Sequence, residues 1–419
     1  MIRILLTEDE PEKKRLIAET ITGVPGITLN NVDFAADVHE AKRMLSKKKY
    51  DLLILDINLP RKAGDKVENG GGLQVLDFIK RNVKAIKPSY IVGMSAYQDG
   101  MSIAESEFTS PLWKLMNFSM TDDAWVKPLI GAVEYLLATN KPPYVCDGTT
   151  YHTDLAIFVA LEGEELKSVL DLECDWEKVE VPHDFTSYFT GKFKSENKEL
   201  SVVVAAAPRM GMPPAAVIAT KLINNFRPKY LAITGICAGV RKKVAMGDIL
   251  VADTLFDWGS GKWEKKRDTP ARFLPASYQW HLDQNLRAKL VEYSKDFVAN
   301  NLHYKSYKGR KPRVSPKVHV EIMASGAAVL QSAEHMASIR ALHKNVIGIE
   351  MESYAVFTAA EYSSDPRPKC ISVKSVCDFG DDKKSDGFHE YSAFISANFL
   401  KDFSLANLEP IHDFIAPDT

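Results

Sequence analysis

Short apolar runs alternate with amphipathic segments along the first third of the chain. The runs IRILL, DLLILD, YIVGMS and AWV have the length of strands, and segments such as HEAKRMLSK and LQVLDFIKR between them show helical spacing of apolar residues. Strands that alternate with helices indicate a parallel sheet covered on both faces. We therefore predict an α/β domain over residues 1–138, a doubly wound (βα)5 sheet.

A second α/β series fills the remainder of the chain. Its strand-like runs are DLAIFVA, LSVVVAAA, YLAITG, DILVAD, HVEIMAS and KCISVKSV. Helical patterns lie between them, namely PAAVIATKLINNF, a long one from Tyr278 to Asn300, and EMESYAVFTAAEY. The segment ATNKPPYVCDGTT joins the two series and is rich in proline and polar residues. We predict a linker over 139–151 and a second domain over 152–419.

Charge and cysteine usage exclude several classes of protein. The formal net charge is only −2, which gives no basic field for nucleic acid, and no helix-turn-helix pattern is visible. No apolar run approaches the roughly 20 residues that span a bilayer, and the N-terminus lacks the pattern of a signal peptide. The five cysteines include no C-x-x-C pair. We expect a cytoplasmic protein without membrane or nucleic-acid partners.

Acidic residues follow the predicted strands of the first domain. Glu8 and Asp9 follow IRILLT, Asp56 ends DLLILD, Ser95 follows YIVGM and Lys127 follows AWV. The carboxyl ends of strands in a doubly wound sheet face one crevice. The three carboxylates there suit Mg²⁺, and Asp56 is a candidate nucleophile towards a phosphoryl donor. Ser95 and Lys127 are then expected to hold the phosphoryl oxygens.

These residues resemble the response-regulator receiver family over about residues 1–138. The resemblance implies that Asp56 is a phosphoacceptor, that Mg²⁺ is the cofactor, and that an upstream histidine kinase or phosphotransfer protein is a partner. Two features depart from the pattern of the receiver family, and both concern the surface through which a receiver acts on its output. The segment after Asp56 is long, and Ala124 stands where the family often carries an aromatic switch residue, with Trp125 shifted by one.

Carboxylates also stand at the ends of strand-like runs in the second domain. Glu164 follows DLAIFVALEG, Glu352 lies near the start of an apolar helix, and Asp378 ends KCISVKSVC. Cleavage of a purine N-glycosidic bond passes through an oxocarbenium-like sugar, and the departing base must be protonated. Asp378 suits protonation of purine N7, Glu352 suits the ribose hydroxyls, and Glu164 suits the attacking water. This chemistry requires no cofactor.

The motifs ALEGEEL, IEMES, VKSVCDFGDD and ASGAAVL resemble the nucleoside phosphorylase superfamily over about residues 152–405. The resemblance implies an α/β/α fold with a central mixed sheet, and an active site that is often completed in a homo-oligomer. It assigns Glu164, Glu352 and Asp378 the roles given above. The other substrate-binding positions that it implies are Gly235, Cys237, Ala238, Val329, Leu330, Met351 and Lys374, the last near the water.

Two isoleucines favour water as the nucleophile. Phosphorylases of the hexameric branch carry an arginine and a serine that hold phosphate where this chain has Ile233 and Ile236. Apolar side chains cannot neutralise a phosphate dianion, and burying one beside them is costly. Arg209, in a loop that touches phosphate in phosphorylases, argues the other way, although it suits a phosphate of the substrate equally well.

Cations concentrate between Trp258 and Arg313, where Lys262 and Arg267 are candidate ligands for substrate phosphates. A receiver joined to this enzyme resembles the effector of the Detocs phage-defence phosphorelay, a family that hydrolyses ATP and dATP to adenine and the ribose triphosphate. The resemblance implies a phosphorylation-regulated ATP nucleosidase with an anti-phage role. Three alternative enzymes stay open: an AMP nucleosidase, a methylthioadenosine/S-adenosylhomocysteine-type nucleosidase and a purine nucleoside phosphorylase. A sensor domain that only binds a nucleoside is a further alternative.

Overall fold

The computed structural model describes residues 2–96, 98–108, 110, 113–265, 271–276, 278–300, 302–381 and 387–411. These residues form two compact units, which meet in the chain between Lys141 and Pro142. That boundary falls inside the segment 139–151 that the sequence suggests as a linker. No helix in the described ranges is long and apolar enough to span a bilayer.

The first unit alternates strands and helices along its whole length. Its elements are β1 (Ile4–Thr7), α1 (Pro11–Thr22), β2 (Val32–Ala35), α2 (Val38–Leu45), β3 (Leu52–Asp56), α3 (Leu73–Arg81), β4 (Tyr90–Ser95), α4 (Gln98–Glu105), β5 (Trp113–Asn117) and α5 (Val126–Thr139). All pairings in the sheet are parallel, in the order β2-β1-β3-β4-β5. Apolar clusters cover both faces of the sheet. Because the strands are parallel, their carboxyl ends share one edge.

Local sequence sets the ends of these helices. Pro11 is the first residue of α1, where its fixed φ suits a helix and its missing N–H costs nothing. The carboxylate of Asp37 accepts a hydrogen bond of 2.8 Å from the Glu40 N–H and caps α2.

The predicted strand AWV is wrong. Trp125 directly precedes α5, and its ring packs at 5.0 Å from the ring of Phe118. The fifth strand is Trp113–Asn117, which the apolar pattern misses because its side chains are mostly half-buried or exposed and it contains a lysine. An apolar triplet at a helix start was therefore mistaken for a strand.

The second unit contains more strands than the sequence pattern indicates. Its elements are β6 (Thr153–Val159), α6 (Lys167–Leu170), β7 (Glu177–Val179), β8 (Tyr188–Ser195), β9 (Lys198–Ala206), α7 (Met212–Phe226), β10 (Pro228–Gly239), β11 (Ile249–Asp257), β12 (Gly261–Glu264), β13 (Arg272–Pro275), β14 (Gln279–His281), α8 (Gln284–Asn300), α9 (Leu302–Ser306), β15 (Val318–Ser325), α10 (Ala333–Leu342), β16 (Val346–Glu350), α11 (Ser353–Glu361), β17 (Lys369–Asp378) and α12 (His389–Asn407). A single turn of π-helix, Glu162–Leu166, precedes α6.

Five strands of this unit form a closed ring within a mixed sheet, as the resemblance implies. β10 pairs with β17 in parallel, β17 with β11 in antiparallel, and β11 with β15 and β15 with β16 in parallel. The antiparallel pairing of β16 with β10 completes the ring. β6, β9, β8 and β7 extend the sheet from β10. Helix α7 packs on α11, and α12 packs on β17.

Two predicted helix starts are wrong in this unit. The long helix predicted from Tyr278 begins at Gln284, because Gln279–His281 pairs with β11 as a strand. The helix predicted from Glu350 begins at Ser353, since Val346–Glu350 is the buried strand β16. Both segments are apolar enough that periodicity alone does not separate strand from helix.

Candidate active site

A pocket opens in the second unit where β10, β16 and β17 end. Its volume is about 150 Å³. The residues that line it come from seven separate segments of the chain: Ala160, Leu161, Glu165, Met210, Ile236, Cys237, Ala238, Ala328, Val329, Leu330, Ile349, Glu350, Met351, Glu352, Cys377, Asp378 and His389. The strand ends therefore bring the predicted acids Glu352 and Asp378 to one cavity.

The glutamate that reaches this pocket from the ALEGEEL motif is Glu165, and not Glu164 as predicted. Glu165 Oε2 accepts hydrogen bonds from the N–H groups of Ala160, at 2.7 Å, and Leu161, at 3.0 Å. The turn between β6 and α6 is a π-helix, which turns Glu165 inwards and leaves Glu164 half-exposed outside the pocket. A regular helical spacing cannot distinguish the two adjacent glutamates.

Gly235 makes room for this carboxylate. Its φ is +149°, and a Cβ there would lie 1.9 Å from Glu165 Oε1, so a side chain cannot be accommodated. Oε1 also accepts a hydrogen bond of 2.9 Å from the Ile236 N–H. Glu165 is thus fixed by three backbone donors, and the Ile236 N–H is not available to hold a phosphate.

The two glutamates of the IEMES motif have different roles. Glu350 binds protein groups, because it accepts hydrogen bonds from the N–H groups of Glu352, at 2.9 Å, and Ser353, at 2.8 Å. The hydroxyls of Ser353 and Ser325 also donate to it. Glu352 Oε1 accepts a single hydrogen bond of 2.8 Å, from the Gly211 N–H before α7. Glu352 therefore keeps acceptor capacity for a ligand.

Lys374 lies fully buried beneath these acids. Its Nζ is 3.9 Å from Glu165 Oε1 and 3.8 Å from Glu352 Oε2, and it has no hydrogen-bond partner among the described residues. These distances exceed a direct hydrogen bond and match contacts bridged by a small polar molecule. An ammonium thus lies between two carboxylates without a direct hydrogen bond to either.

Burial and charge set the protonation of this cluster. Burial raises the pKa of Glu352 to about 7; the Lys374 ammonium opposes the rise, and the neighbouring acids Glu350 and Glu165 add to it. Burial by itself would lower the pKa of Lys374, but the carboxylates of Glu165 and Glu352 raise it above its ordinary value. The raised pKa of Lys374 favours its charged form, while the raised pKa of Glu352 favours protonation of that acid.

Asp378 ends β17 on the other side of the pocket. Its Oδ1 accepts a hydrogen bond of 2.6 Å from the Gly380 N–H, and its carboxylate is almost fully buried. The ligand atoms of Cys377, Asp378 and His389 lie within 4.8 Å of one another. His389 begins α12 and lines the pocket beside Asp378. A carboxyl group and an imidazole thus line the same pocket.

The remaining walls are mostly apolar. Cys237, Ala238, Val329 and Leu330 line the cavity, as the motif resemblance implies, and Ile236 joins them. Ile233 is buried in the core and does not reach the pocket. Apolar walls with few polar groups suit a purine base, and the described residues that line the pocket include no Lys or Arg.

A second cavity adjoins the first, because Met210 and Met351 line both. Arg209 lies in its wall and is exposed. Lys262 lies on the separate hairpin of β12 and β13 and lines neither cavity. Arg267 falls outside the described residues. Of the predicted phosphate ligands, the structure therefore brings only Arg209 next to the pocket.

In the first unit the predicted acids also gather at the strand ends. Carboxylate oxygens of Glu8, Asp9 and Asp56 lie within 4.8 Å of one another, and Ser95 is buried at the end of β4. The ammonium that contacts them belongs to Lys13 of α1. Its Nζ is 2.8 Å from Glu8 Oε2 and 2.9 Å from Asp56 Oδ2. Burial and the charge of Asp56 raise the pKa of Glu8 to about 7 despite this ammonium.

The structure does not support the position predicted for Lys127. Lys127 is exposed in the first turn of α5, and it forms no ion pair within the part of the chain that the structure describes. The reason is the misassigned strand, since β5 ends at Asn117 and Lys127 no longer follows a strand end.

Two further residues were missed by sequence reasoning. Lys13 had a signal, because it lies four residues before Ile17 and eight before Ile21 on the buried face of α1. A charged residue in an apolar stripe indicates a buried partner. The sequence contains no such signal for His389, since a lone histidine at a helix start is common.

Comparison with known proteins assigns the second unit to a family. The family model described as the phosphorylase superfamily matches residues 154–405, more than half of the chain. The uncharacterized protein y4jS of Sinorhizobium fredii (strain NBRC 101917 / NGR234) is 29% identical over 403 residues, which cover 95% of this chain and 97% of that protein.

Two nucleosidases are also similar. The ATP nucleosidase Cap17 of Escherichia coli (strain KTE188) is 25% identical over 48% of this chain and 41% of that protein. The death domain-containing ATP nucleosidase of Amphimedon queenslandica is 26% identical over 59% of this chain and 47% of that protein. The chain thus spans less than half the length of these two relatives.

Proposed function

This chain belongs to the phosphorylase superfamily and is an N-glycosyl hydrolase, and from that premise we propose that it hydrolyses ATP, and dATP, to adenine and the sugar triphosphate. The observation that carries the proposal is that Glu165, Glu352 and Asp378 line one pocket, with the buried Lys374 ammonium within 4 Å of the first two carboxylates.

The proposed reaction uses this geometry directly. The Asp378 carboxyl group donates its proton to N7 of the purine while the C1′–N9 bond breaks and its electron pair stays with the base. Glu352 accepts hydrogen bonds from the ribose hydroxyls and stabilises the cationic sugar. A water at Lys374 attacks C1′, and its proton passes to Glu165. The base leaves neutral, and the sugar gains the hydroxyl.

Water is favoured over phosphate because of the charges at the site. Lys374 is already balanced by Glu165 and Glu352, so it cannot neutralise an added dianion. Ile236 presents an apolar side chain, and its N–H already binds Glu165. Burying a phosphate against these groups is unfavourable.

ATP is favoured over a nucleoside because of the adjoining cavity. Arg209 lines this second cavity, which continues from the ribose side of the pocket through Met351. A guanidinium binds phosphate oxygens with two parallel hydrogen bonds. The two similar ATP nucleosidases add support for this substrate.

The test is incubation of the protein with ATP, dATP, AMP, adenosine and methylthioadenosine, with and without inorganic phosphate, followed by chromatography for free base. The proposal expects adenine from ATP and dATP at a rate that phosphate does not change. A sugar 1-phosphate product would indicate a phosphorylase. Preferential cleavage of AMP or methylthioadenosine would identify the protein as one of those alternative nucleosidases.

We also propose that the first unit is a receiver with Asp56 as phosphoacceptor, and that its phosphorylation raises base release. Three carboxyl groups outnumber the one ammonium at the strand ends and offer only oxygen ligands, so the donor set fits Mg²⁺. Glu8, Asp9 and Asp56 would hold the ion, which would neutralise charge on a phosphoryl group. Asp56 attacks the phosphorus, and the donor leaves with the electron pair of the broken bond.

This regulation is tested by base release with and without beryllofluoride, in the wild type and in Asp56→Ala. Higher turnover only in the wild type with beryllofluoride supports the switch. Equal turnover in all four samples would leave a nucleosidase that does not depend on its first unit. A histidine kinase or phosphotransfer protein would supply the phosphoryl group in the cell, with a homo-oligomer as the assembly and phage defence as the setting.

A further inference from the structure

The ammonium of Lys13 lies where a phosphoryl group on Asp56 would need a cation. Its Nζ contacts Asp56 Oδ2 at 2.9 Å and Glu8 Oε2 at 2.8 Å, and the side chain is almost fully buried. The ammonium also lies over the ring of Phe118, 5.4 Å from its centroid. A carboxylate and an aromatic face thus hold the cation at the reacting oxygen before any phosphoryl group arrives.

The end of β5 supplies an apolar ring and not a cation. Phe118 directly follows this strand, is almost fully buried, and donates its N–H to the Ser95 carbonyl oxygen at 2.9 Å. Lys127 comes later in the chain and is exposed. The cation in contact with Asp56 in this structure is therefore Lys13, while Lys127 lies in solvent.

We propose that Lys13 binds the phosphoryl group on Asp56, in the role that the family resemblance gives to Lys127. This inference rests on the proposal that Asp56 is the phosphoacceptor. When an Asp56 oxygen forms its bond to phosphorus and the bond to the donor breaks, the ammonium moves from the carboxylate to a phosphoryl oxygen. The group that responds to phosphorylation therefore belongs to α1, and α5 is not required to move.

The electrostatics agree with this role. Phosphorylation replaces one negative charge on Asp56 with about two on the phosphoryl group. A buried ammonium gains from that increase more than an exposed one, because solvent screens the charge of Lys127. Glu8 keeps the ammonium from leaving the site in the unmodified state.

The experiment labels the full-length chain with acetyl phosphate and MgCl₂ and follows the mass of the intact protein over time. The variants are Lys13→Met, Lys13→Arg, the matched control Lys127→Met, and Asp56→Asn as the blank. We expect Lys13→Met to slow labelling by about 10²-fold, the typical effect of removing one preorganised donor to a developing negative charge. Lys13→Arg recovers part of the rate, and Lys127→Met labels like the wild type.

The lifetime of the phosphoaspartate after removal of the donor gives a second readout, which a general loss of folding would not shift selectively. If Lys13→Met does not fold, Lys13→Arg decides, because a planar guanidinium must change both rate and lifetime while Lys127→Arg changes neither. Wild-type labelling rates in Lys13→Met, together with slow labelling in Lys127→Met, would overturn this inference and leave Asp56 as the proposed phosphoacceptor. No labelling of the wild type would overturn it together with the proposed phosphoacceptor.

Discussion

Each of the two units buries one lysine between two carboxylates, but the two ammonium groups lie at different distances from them. Lys13 contacts Glu8 and Asp56 at 2.8 and 2.9 Å, whereas Lys374 lies 3.9 and 3.8 Å from Glu165 and Glu352. The first pair of contacts is direct, and the second pair exceeds hydrogen-bond distance. In the proposed mechanism the attacking water bridges the second pair, whereas Lys13 holds its charge directly against two acids.

The surroundings of the two lysines agree with this difference. Lys13 lies over an aromatic ring, next to an acid that a phosphoryl group is proposed to modify. Lys374 lies beneath a pocket that combines apolar walls with the carboxylates of Glu165, Glu352 and Asp378. Similar residue types at strand ends therefore support different chemistry, because the distance and the neighbours differ.

Replacing Asp378, the proposed general acid, is expected to have the largest effect on base release. Asp378→Asn keeps the shape of the side chain but removes the proton that the leaving base requires. A positioned general acid contributes about 10²–10⁴-fold, so we expect a loss of kcat in that range with nucleotide binding retained. Chromatography of adenine and a binding titration measure the two quantities. Wild-type turnover in folded Asp378→Asn would assign the proton to another group.

Variants of the adjacent pair Glu164 and Glu165 test whether the attacking water is bound between Glu165 and the Lys374 ammonium. Glu165→Gln removes the base beside Lys374, and we expect about 10²-fold slower base release, the lower range for general base catalysis. Glu164→Gln is the matched control, because it removes the same charge one residue away, outside the pocket. Equal losses in both variants would contradict the assignment of Glu165.

Arg209→Ala probes the second cavity, and its expected effect is smaller. A hydrogen bond to a charged group contributes about 1.5–3 kcal/mol, which corresponds to a loss of about 10–10²-fold in kcat/KM for ATP. Cleavage of adenosine, which has no phosphate, should change little. Measuring kcat/KM for both substrates separates phosphate recognition from damage to the pocket; parallel losses would place Arg209 in another role.

The smallest expected effect is a change in thermal stability that depends on pH. Burial raises the pKa of Glu352 to about 7 from its ordinary value near 4.5, so the folded state binds this proton more tightly than the unfolded state. That contribution is complete at low pH and is lost as the pH rises through about 7. We expect Glu352→Gln to raise Tm at pH 8 more than at pH 5, although base release falls. Thermal unfolding at both values measures this, and an equal shift at both would contradict the raised pKa.

Sequence reasoning named several of the residues that line the pocket but not its finer geometry. The runs ending at Asp56 and Asp378 predicted their strands, because buried apolar runs are strong signals. Glu164 and Glu165 have the same local pattern, and only the π-helix decides which one turns inwards. Lys127 was misplaced because the fifth strand has a weak alternating pattern, and the structure places Lys13 at Asp56. Tertiary contacts of this kind are not encoded in local periodicity.

Oxygen-18 water provides the most direct test of hydrolysis of ATP by this chain. The protein is incubated with ATP in labelled water without inorganic phosphate, and the sugar product is analysed by mass spectrometry. The account predicts adenine and a ribose triphosphate that carries one labelled oxygen at C1. Adenine release that requires phosphate and yields an unlabelled sugar 1-phosphate would contradict it.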